Sequence, residues 1–576
     1  MKKKFYLVGM LAAGLTFAGC TDDIDDASGS GVVEGATGYV KVAVNLPTTS
    51  GNSTRGENDI FDDGLANEYQ VKDGIIAFFV GNIGESEENA TFVKAENLGV
   101  NNWNTHVDNP NQITTQKVTV LEAPTVAADK QLYALVILNT NEEILLENGS
   151  LKWNGEGDFF AQAGGSAQLN NIRIPHTQTI DKFIGGDGKD AMMMTNSPIA
   201  VGGSPSYGVQ TLVPVTVYKT WNEAEGALQS DQIFVERVVS KATLSGFTKN
   251  GEDGPYTISV ETENSFYKDD VVTLKGWILN ATNKSTKLVR DVTDFTTWQT
   301  YKYGTAQYCP FVGSVPIIPS IGYYRIYWAL DPNYDSHDAN SFDIYSQTNE
   351  ENKNIPWNKF CGDKAPLYCL ENTMNVSEAQ STENTITWML LKTTYKHGSE
   401  EAGTSFYVID NMPMTAEDLI DYMKKQLGTG YESLVLKAET DGGSGGYIDT
   451  EDEVKNIFSI GDSELSEEQA KAIVEKFSVI KYYKDGTSYY YAARIKHFGG
   501  TYSDLDPRDP NVSGASDENA LGYYGMVRNN WYDVQINSIS GPGEPEIPEI
   551  PTDNYGYINA QINILSWAKR QQNVDL

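Results

Sequence analysis

The chain has 576 residues and a formal net charge of −35, with Tyr 33, Trp 10 and Gly 52. That length is too great for one core and indicates two or more domains, and the charge argues against nucleic acid and against adhesion to anionic lipid. Abundant tyrosine and glycine, with few long helical patterns, point to an all-β, turn-rich, extracellular protein.

Lys2-Lys3-Lys4 and the apolar run from Phe5 to Phe17 form a secretion signal over residues 1–19, too short and wrongly flanked for a spanning helix. The run ends in Phe17-Ala18-Gly19-Cys20, which resembles a bacterial lipobox with Phe17 where leucine is usual, so Cys20 is expected to be the lipidated first residue after cleavage. Thr21-Asp22-Asp23-Ile24-Asp25-Asp26 opens an acidic leash over 20–37. Acids directly after Cys20 resemble the export signal of surface lipoproteins in the Bacteroidetes.

Residues 38–55 hold a first strand and a polar loop. Alternation from Gly38 to Leu46 puts Val40, Val42, Val44 and Leu46 on one face. In the loop after it, Arg55 is the only basic residue between Lys41 and Lys72. An arginine-specific protease would therefore have one bond to cut, Arg55–Gly56, and the cut would free the strand.

Short runs at Gly74–Val80, Gln116–Leu121, Leu132–Asn139 and Thr211–Val217 predict an N-terminal β-sandwich over 56–232. A second series, at Arg237–Leu244, Val271–Leu279, Tyr323–Leu330, Thr385–Leu391, Ser488–Ile495 and Trp531–Ile539, predicts a second sandwich over 233–540. Inside it, Thr415 ahead of Ala416–Met423, and the capping box of Ser466 with Gln469, predict short helices. The proline-spaced segment 541–555 cannot join a ladder and is expected to hold the C-terminal tail away from the body. That tail, 556–576, alternates again, with Ile558, Ala560, Ile562 and Ile564 in the places that Val40, Val42, Val44 and Leu46 hold in the first strand. It reads either as an ordinary strand of its own subunit or as a strand donated to a groove that the first strand of another subunit vacates.

Catalytic chemistry, cofactors and metals find little support. Gly442-x-Ser444-x-Gly446 matches a nucleophile elbow only formally, because acidic residues come after it instead of a supporting helix. His106, His176, His337, His397 and His497 show neither metal-ligand spacing nor a partner nucleophile. Asp504, Asp506 and Asp509 could ligate Ca²⁺, although Asp-Pro pairs more often shape a turn. With Cys20 lipidated, Cys309, Cys361 and Cys369 allow one disulfide at most, Cys361 and Cys369 being the closer pair, and buried free thiols are the default. Trp277 and Trp328 lie in strand patterns and read as core, whereas Trp103, Trp153 and Trp357 sit in loop-like sequence.

Several stretches together resemble the FimA/Mfa superfamily of type V pilins from Bacteroidetes, and most closely the shaft subunits of Mfa-type minor fimbriae. They are the lipobox at Cys20, Arg55, Met193-Met194-Thr195-Asn196, Val235-Glu236-Arg237-x-Val239-x-Lys241-Ala242, Trp277-x-Leu279-Asn280, Tyr368-x-Leu370-Glu371-Asn372-Thr373, Tyr490-Tyr491, Val527-Arg528-Asn529-Asn530-x-Tyr532, and the ending Ile562-x-Ile564-Leu565-x-Trp567 with Val574-Asp575-Leu576. The resemblance implies two transthyretin-like β-sandwich domains, lipoprotein export to the outer membrane, removal of the Val40–Leu46 strand at Arg55–Gly56, and polymerisation through a donor strand at Ile558–Ile564. Its implied partners are copies of the chain in a fibre, accessory tip and anchor proteins, a processing protease, and a host or bacterial surface receptor. Phe17 and the helical segments between 415 and 477 depart from the pattern. The alternative from another class is a surface glycan-binding lipoprotein of a polysaccharide-uptake system, which would share the lipobox, leash, sandwiches and aromatics but would leave Arg55 and the tail unexplained.

Overall fold

The computed structural model describes residues 31–46, 60–62, 65–85, 87–99, 116–153, 157–158, 180–185, 191–203, 206–301, 311–312, 322–346, 355–381, 385–437, 445–499, 505–548, 558–566 and 569–571. The fold is all-β, with short helices. Its N-terminal half is built on β1 (Val32–Asn45), β2 (Ile60–Asp62), helix α1 (Ala66–Tyr69), β3 (Gly74–Asn82), β4 (Thr91–Asn97), β5 (Gln116–Val126), β6 (Lys130–Leu138), β7 (Met194–Asn196), helix α2 (Trp221–Gly226) and β8 (Asp231–Arg237). Seven of these strands hydrogen-bond in the order β4-β3-β6-β7-β8-β1-β5. The sheet folds over so that β5 meets β3, β4 and β6. Between the layers lie Val40, Val42, Val44, Ile76, Phe78, Leu132, Ala134, Val136, Ile233 and Val235, which contribute a continuous apolar core.

The second half begins with β9 (Val239–Ser245), then β10 (Val271–Asn280), β11 (Leu367–Leu370), β12 (Trp388–Lys396), β13 (Thr487–Arg494), β14 (Asn530–Ile539), β15 (Ile558–Ser566) and β16 (Lys569–Gln571). One layer runs β11-β9-β14-β15, and the other contains β10, β12 and β13 with two short strands at its edge. Trp277, Leu279, Met389, Leu391, Tyr490, Tyr532 and Val534 fill the space between them. Ile233 and Val235 pack in the first core, and Val238 and Val239 share a cluster with residues of both halves. A hairpin of Ile199–Gly203 and Ser206–Gln210 reaches across to pair with Tyr323–Arg325 of the second half.

The helical segments depend on local sequence, as expected. Helix α3 (Ala416–Leu427) starts where the Thr415 side chain accepts the Asp418 N–H, and α4 (Glu467–Phe477) starts at the reciprocal Ser466/Gln469 capping box. Leu419, Met423, Ala470 and Ile473 turn inward, and with Phe458 and Ile480 they build a small separate core. These helices therefore form a lobe rather than an interruption of the sandwich.

The proline segment corrects a prediction. Its first part, Gly541–Pro548, does not stand off the body but lies along it as a strap: apart from half-buried Glu546 these residues are buried. The Tyr490 hydroxyl donates to Gly541 O at 2.8 Å, and that of Tyr483 donates to Gly543 O at 2.8 Å. The Glu544 carboxylate accepts from Lys481 Nζ at 2.7 Å and from the Tyr447 hydroxyl at 2.6 Å. Ile547 inserts beside Trp388, Tyr489 and Tyr491. Gly543 allows this approach, since a Cβ there would lie 2.2 Å from Tyr489 O. Proline removes ladder donors, but carbonyls remain, and tyrosine hydroxyls from β13 and its neighbour satisfy them.

Candidate assembly site

The two stretches singled out by their alternation occupy different sheets. β1 is an interior strand, antiparallel to β5 through Thr37–Asn45 and parallel to β8 through Val42–Asn45. Val40, Val42 and Val44 are 0 % exposed and Leu46 is buried. Burying four such side chains contributes on the order of 6–12 kcal/mol, so the channel between β5 and β8 requires an apolar strand. Removing β1 would leave both neighbours with open edges and the core with an open trough.

The other face of β1 is held by α2. Thr220 caps that helix in a reciprocal box with Glu223, fixing it across the strand. The Lys41 ammonium donates to Ala227 O at 2.7 Å and to Glu225 O at 3.0 Å, at the negative end of the helix. Tyr39 and Trp221 meet edge to face at 6.0 Å. Gly38 is a position of close approach, where a Cβ would lie 2.4 Å from Val217 Cγ1. At the far end the Asn45 amide joins both neighbouring strands: Gln116 Nε2 donates to Asn45 Oδ1 at 2.7 Å, and Asn45 Nδ2 donates to Gln232 Oε1 and to Ile233 O, each at 3.2 Å.

The tail pairs within its own chain. β15 lies antiparallel to β14, with Ile558 opposite Ile539, Ala560 opposite Ile536, Ile562 opposite Val534 and Ile564 opposite Tyr532. Ile558, Ala560 and Ile562 are half-buried and pack on the second core. β16 then pairs with β2, which begins shortly after Arg55–Gly56 in sequence. Cys20, Arg55 and Gly56 themselves lie outside the described residues.

At the junction of the halves is a group of buried charges that sequence reasoning missed. Glu68, on α1, accepts from Lys241 Nζ at 2.8 Å and from the Tyr368 hydroxyl at 2.7 Å, and its main-chain oxygen accepts from Arg237 Nε at 2.6 Å. Glu236 pairs with Arg290 at 2.8 Å, and Glu371 with Arg528 at 3.2 Å. Burial pushes the Glu236 carboxyl up, while Arg290 and Arg528 pull it back. The Lys241 ammonium also stands 4.0 Å over the Trp531 ring. The signal was present in the pilin-like stretches around Glu236, Lys241, Glu371 and Arg528, whose charges sit within strand patterns where a solvated face would not require them.

The remaining candidates have structural surroundings. Asp506 accepts the Tyr524 hydroxyl and the Arg508 N–H, and Asp509 accepts the Asn511 N–H, as turn-shaping carboxylates do; Asp504 lies outside the described residues, as does Ser444. Cys361 and Cys369 are free thiols, and burial pushes each up to about 12. Cys309 is outside the described residues. Trp277 and Trp328 are core residues, as expected.

Residues 481–573 match the family model "Major fimbrial subunit protein type IV, Fimbrillin, C-terminal", a span that takes in the strap, β14 and the tail. No curated protein matches the chain. Among solved structures, the fimbrilin FimA of Porphyromonas gingivalis shares 11 % identity, covering 92 % of this chain and 98 % of its own, at a TM-score of 0.36. The tip fimbrial protein Mfa3 of the same species, with a C-terminal truncation, shares 10 % identity over 92 % of this chain and 100 % of its own, at 0.33. These superpositions are loose, and the family match is confined to the C-terminal part of the chain. Over residues 481–573 the chain is thus similar to the C-terminal region of a major fimbrial subunit.

Proposed function

We propose that the protein is a shaft subunit of a type V fimbria, exported as a lipoprotein through Cys20, cut at Arg55–Gly56, and polymerised by insertion of the Ile558–Ile564 strand of one copy into the channel that β1 of the next vacates. The observation that carries this reading is the position of β1. An interior strand with its apolar face wholly buried is succeeded at once by a loop with a single arginine, so one cut both detaches the strand and creates demand for a replacement. The tail can meet that demand. Ile558 for Val40 and Ile562 for Val44 each add a methylene, Ala560 for Val42 removes two, and Ile564 for Leu46 is neutral, so the apolar volume is conserved.

Three large side chains at roughly 1.5–3 kcal/mol and about eight strand hydrogen bonds at roughly 0.5–1.5 kcal/mol give on the order of 10–20 kcal/mol before ordering costs, enough for a fibre without covalent joints. Tip and anchor proteins, a processing protease and a surface receptor are the further partners of such a shaft. The test is truncation after Pro551 in a chain still cut at Arg55. Folded, processed monomers without fibres by electron microscopy are expected; fibres of normal length would exclude the tail as donor.

A further inference from the structure

We infer that β5 is a closing strand: when β1 leaves, β5 comes away from the sheet with it, and a donated strand is enclosed only as β5 folds back over it. This rests on the strand-exchange reading above and adds to it how the acceptor opens and shuts.

The two walls of the channel are unequal. β8 keeps a partner when β1 goes, because Val235, Glu236 and Arg237 remain paired with Asn196, Thr195 and Met194 of β7. β5 keeps none: among the described strands it pairs with β1 alone, from Val126 opposite Val32 to Gln116 opposite Asn45. The turn beyond it leans on the same segment, the Ala127 N–H donating to Gly31 O at 3.1 Å. Pro124, which has no N–H to give, suits a strand with one free edge.

Without β1, little holds β5 in place. It still faces β3, β4, β6 and α2, but its buried side chains are only Leu121, Ala123 and Pro124, while Glu122 is exposed and Val118 is 48 % exposed. Its printed polar contacts away from β1 gather at one end, where the Lys117 ammonium donates to Gly99 O and Gln116 Nε2 donates to Gln232 Oε1 at 3.2 Å. A strand of eleven residues gives up backbone freedom at every position. One leucine, one alanine and one proline do not offset that cost once the ladder is lost. β6 stays bonded to β3 and β7, so the connection from Ala127 to Lys130 becomes the hinge. An emptied subunit therefore offers one fixed edge, β8, and one detached strand. An extended apolar segment of a second copy pairs with the first and is wrapped by the second, an order–disorder closure around the donor. At the opposite end of the sheet β4 is likewise bonded to a single neighbour, β3, but that neighbour is never excised.

Proteolysis reads the state of β5, since a protease cuts a strand only where it has come away from its neighbours. In the full-length chain kept whole by Arg55→Ala, Val42→Ala weakens the hold of β1 on the core. A glutamate-specific protease is then expected to cut after Glu122 about tenfold faster or more than in the Arg55→Ala parent, with cutting after Glu96 in β4 unchanged. Val40→Ala weakens β1 where β5 but not β8 pairs with it; it is expected to do the same and stands in if Val42→Ala fails to fold. Equal rates at Glu122 in variant and parent would show that β5 holds itself, and a joint rise at Glu96 and Glu122 would show that it opens only with the whole sandwich. Either result overturns the inference. In assembled fibres Glu122 is expected to resist as it does in the uncut chain, and fast cutting there with Glu96 intact would overturn the closure. The variants in the uncut chain do not involve the tail, so fibres formed by the tail-truncated chain would remove strand exchange while leaving the dependence of β5 on β1 as measured.

Discussion

His497 shows what one residue contributes beneath the strand that pairs with the tail. Its Nδ1 is 2.9 Å from the Tyr532 hydroxyl, and its Nε2 is 3.1 Å from Tyr327 O. The carbonyl can only accept, so Nε2 carries the proton and Nδ1 accepts from Tyr532, whose oxygen in turn accepts the Val527 N–H at 2.8 Å. Burial holds this imidazole down to about 3. The folded form is therefore the neutral ring: its contribution is complete above the unfolded value near 6.5 and is lost as pH falls from there through about 3, a cost on the order of 4–5 kcal/mol. Asp331 runs the other way. Burial raises its carboxyl to about 7, so its contribution is complete below its unfolded value of 3.8 and declines as pH rises to about 7. His497→Gln, which stays neutral, is expected to move the acid-unfolding midpoint to lower pH in a circular-dichroism titration. An unchanged midpoint would show that other groups set acid sensitivity. From the sequence His497 was recognisable as a histidine without a metal pattern, but its partners are 35 and 170 residues away, which no local spacing reveals.

Among elements, the capped helices were legible and the strap was not. Thr415, Ser466 and Gln469 act on N–H groups three residues away, so the signal and its effect share one window of sequence. Proline spacing in 541–548 indicates an extended backbone, yet its docking depends on Lys481, Tyr483 and Tyr490, which arrive from strands formed elsewhere in the chain. Lys481→Met leaves the Glu544 carboxylate with the Tyr447 hydroxyl but without its cation, a loss of about 1–3 kcal/mol. Thermal unfolding should fall by several degrees, and a glutamate-specific protease should cut at 544–546 in the variant before it cuts the parent. Equal cleavage of the two would mean that the tyrosine hydroxyls hold the strap unaided. β1 and the tail were legible as matching alternations, whereas the contacts of Tyr39, Lys41 and Asn45 with α2, Gln116 and Gln232 needed the folded sheet.

Across the molecule, the all-β class came from short β-rich runs punctuated by turn residues, and the structure has it. The stretches around Glu236, Lys241, Glu371 and Arg528 carried a resemblance before they carried a reason; folded, they meet at one junction that locks the two halves. Glu68→Gln or Lys241→Met alone leaves a buried charge without its partner and is expected to cost about 3–5 kcal/mol, while the double variant recovers much of that. A thermal double-mutant cycle measures the difference, and strictly additive losses would mean that the pair contributes no coupling.

The docked strap also decides how a stretched filament would carry force. With the tail donated as proposed, tension on it would reach the described part of its own subunit first at Pro548, not at β14, and would pass in series through Ile547, the Glu544–Lys481 pair and the carbonyls held by Tyr483 and Tyr490 before it loaded the sandwich. The ten residue steps from Pro548 to Ile558 span about 33–36 Å at most, which would bound the distance between the strap and a donated strand. Each such joint would then be bolted to its subunit by one ion pair, one isoleucine and a few tyrosine hydroxyls.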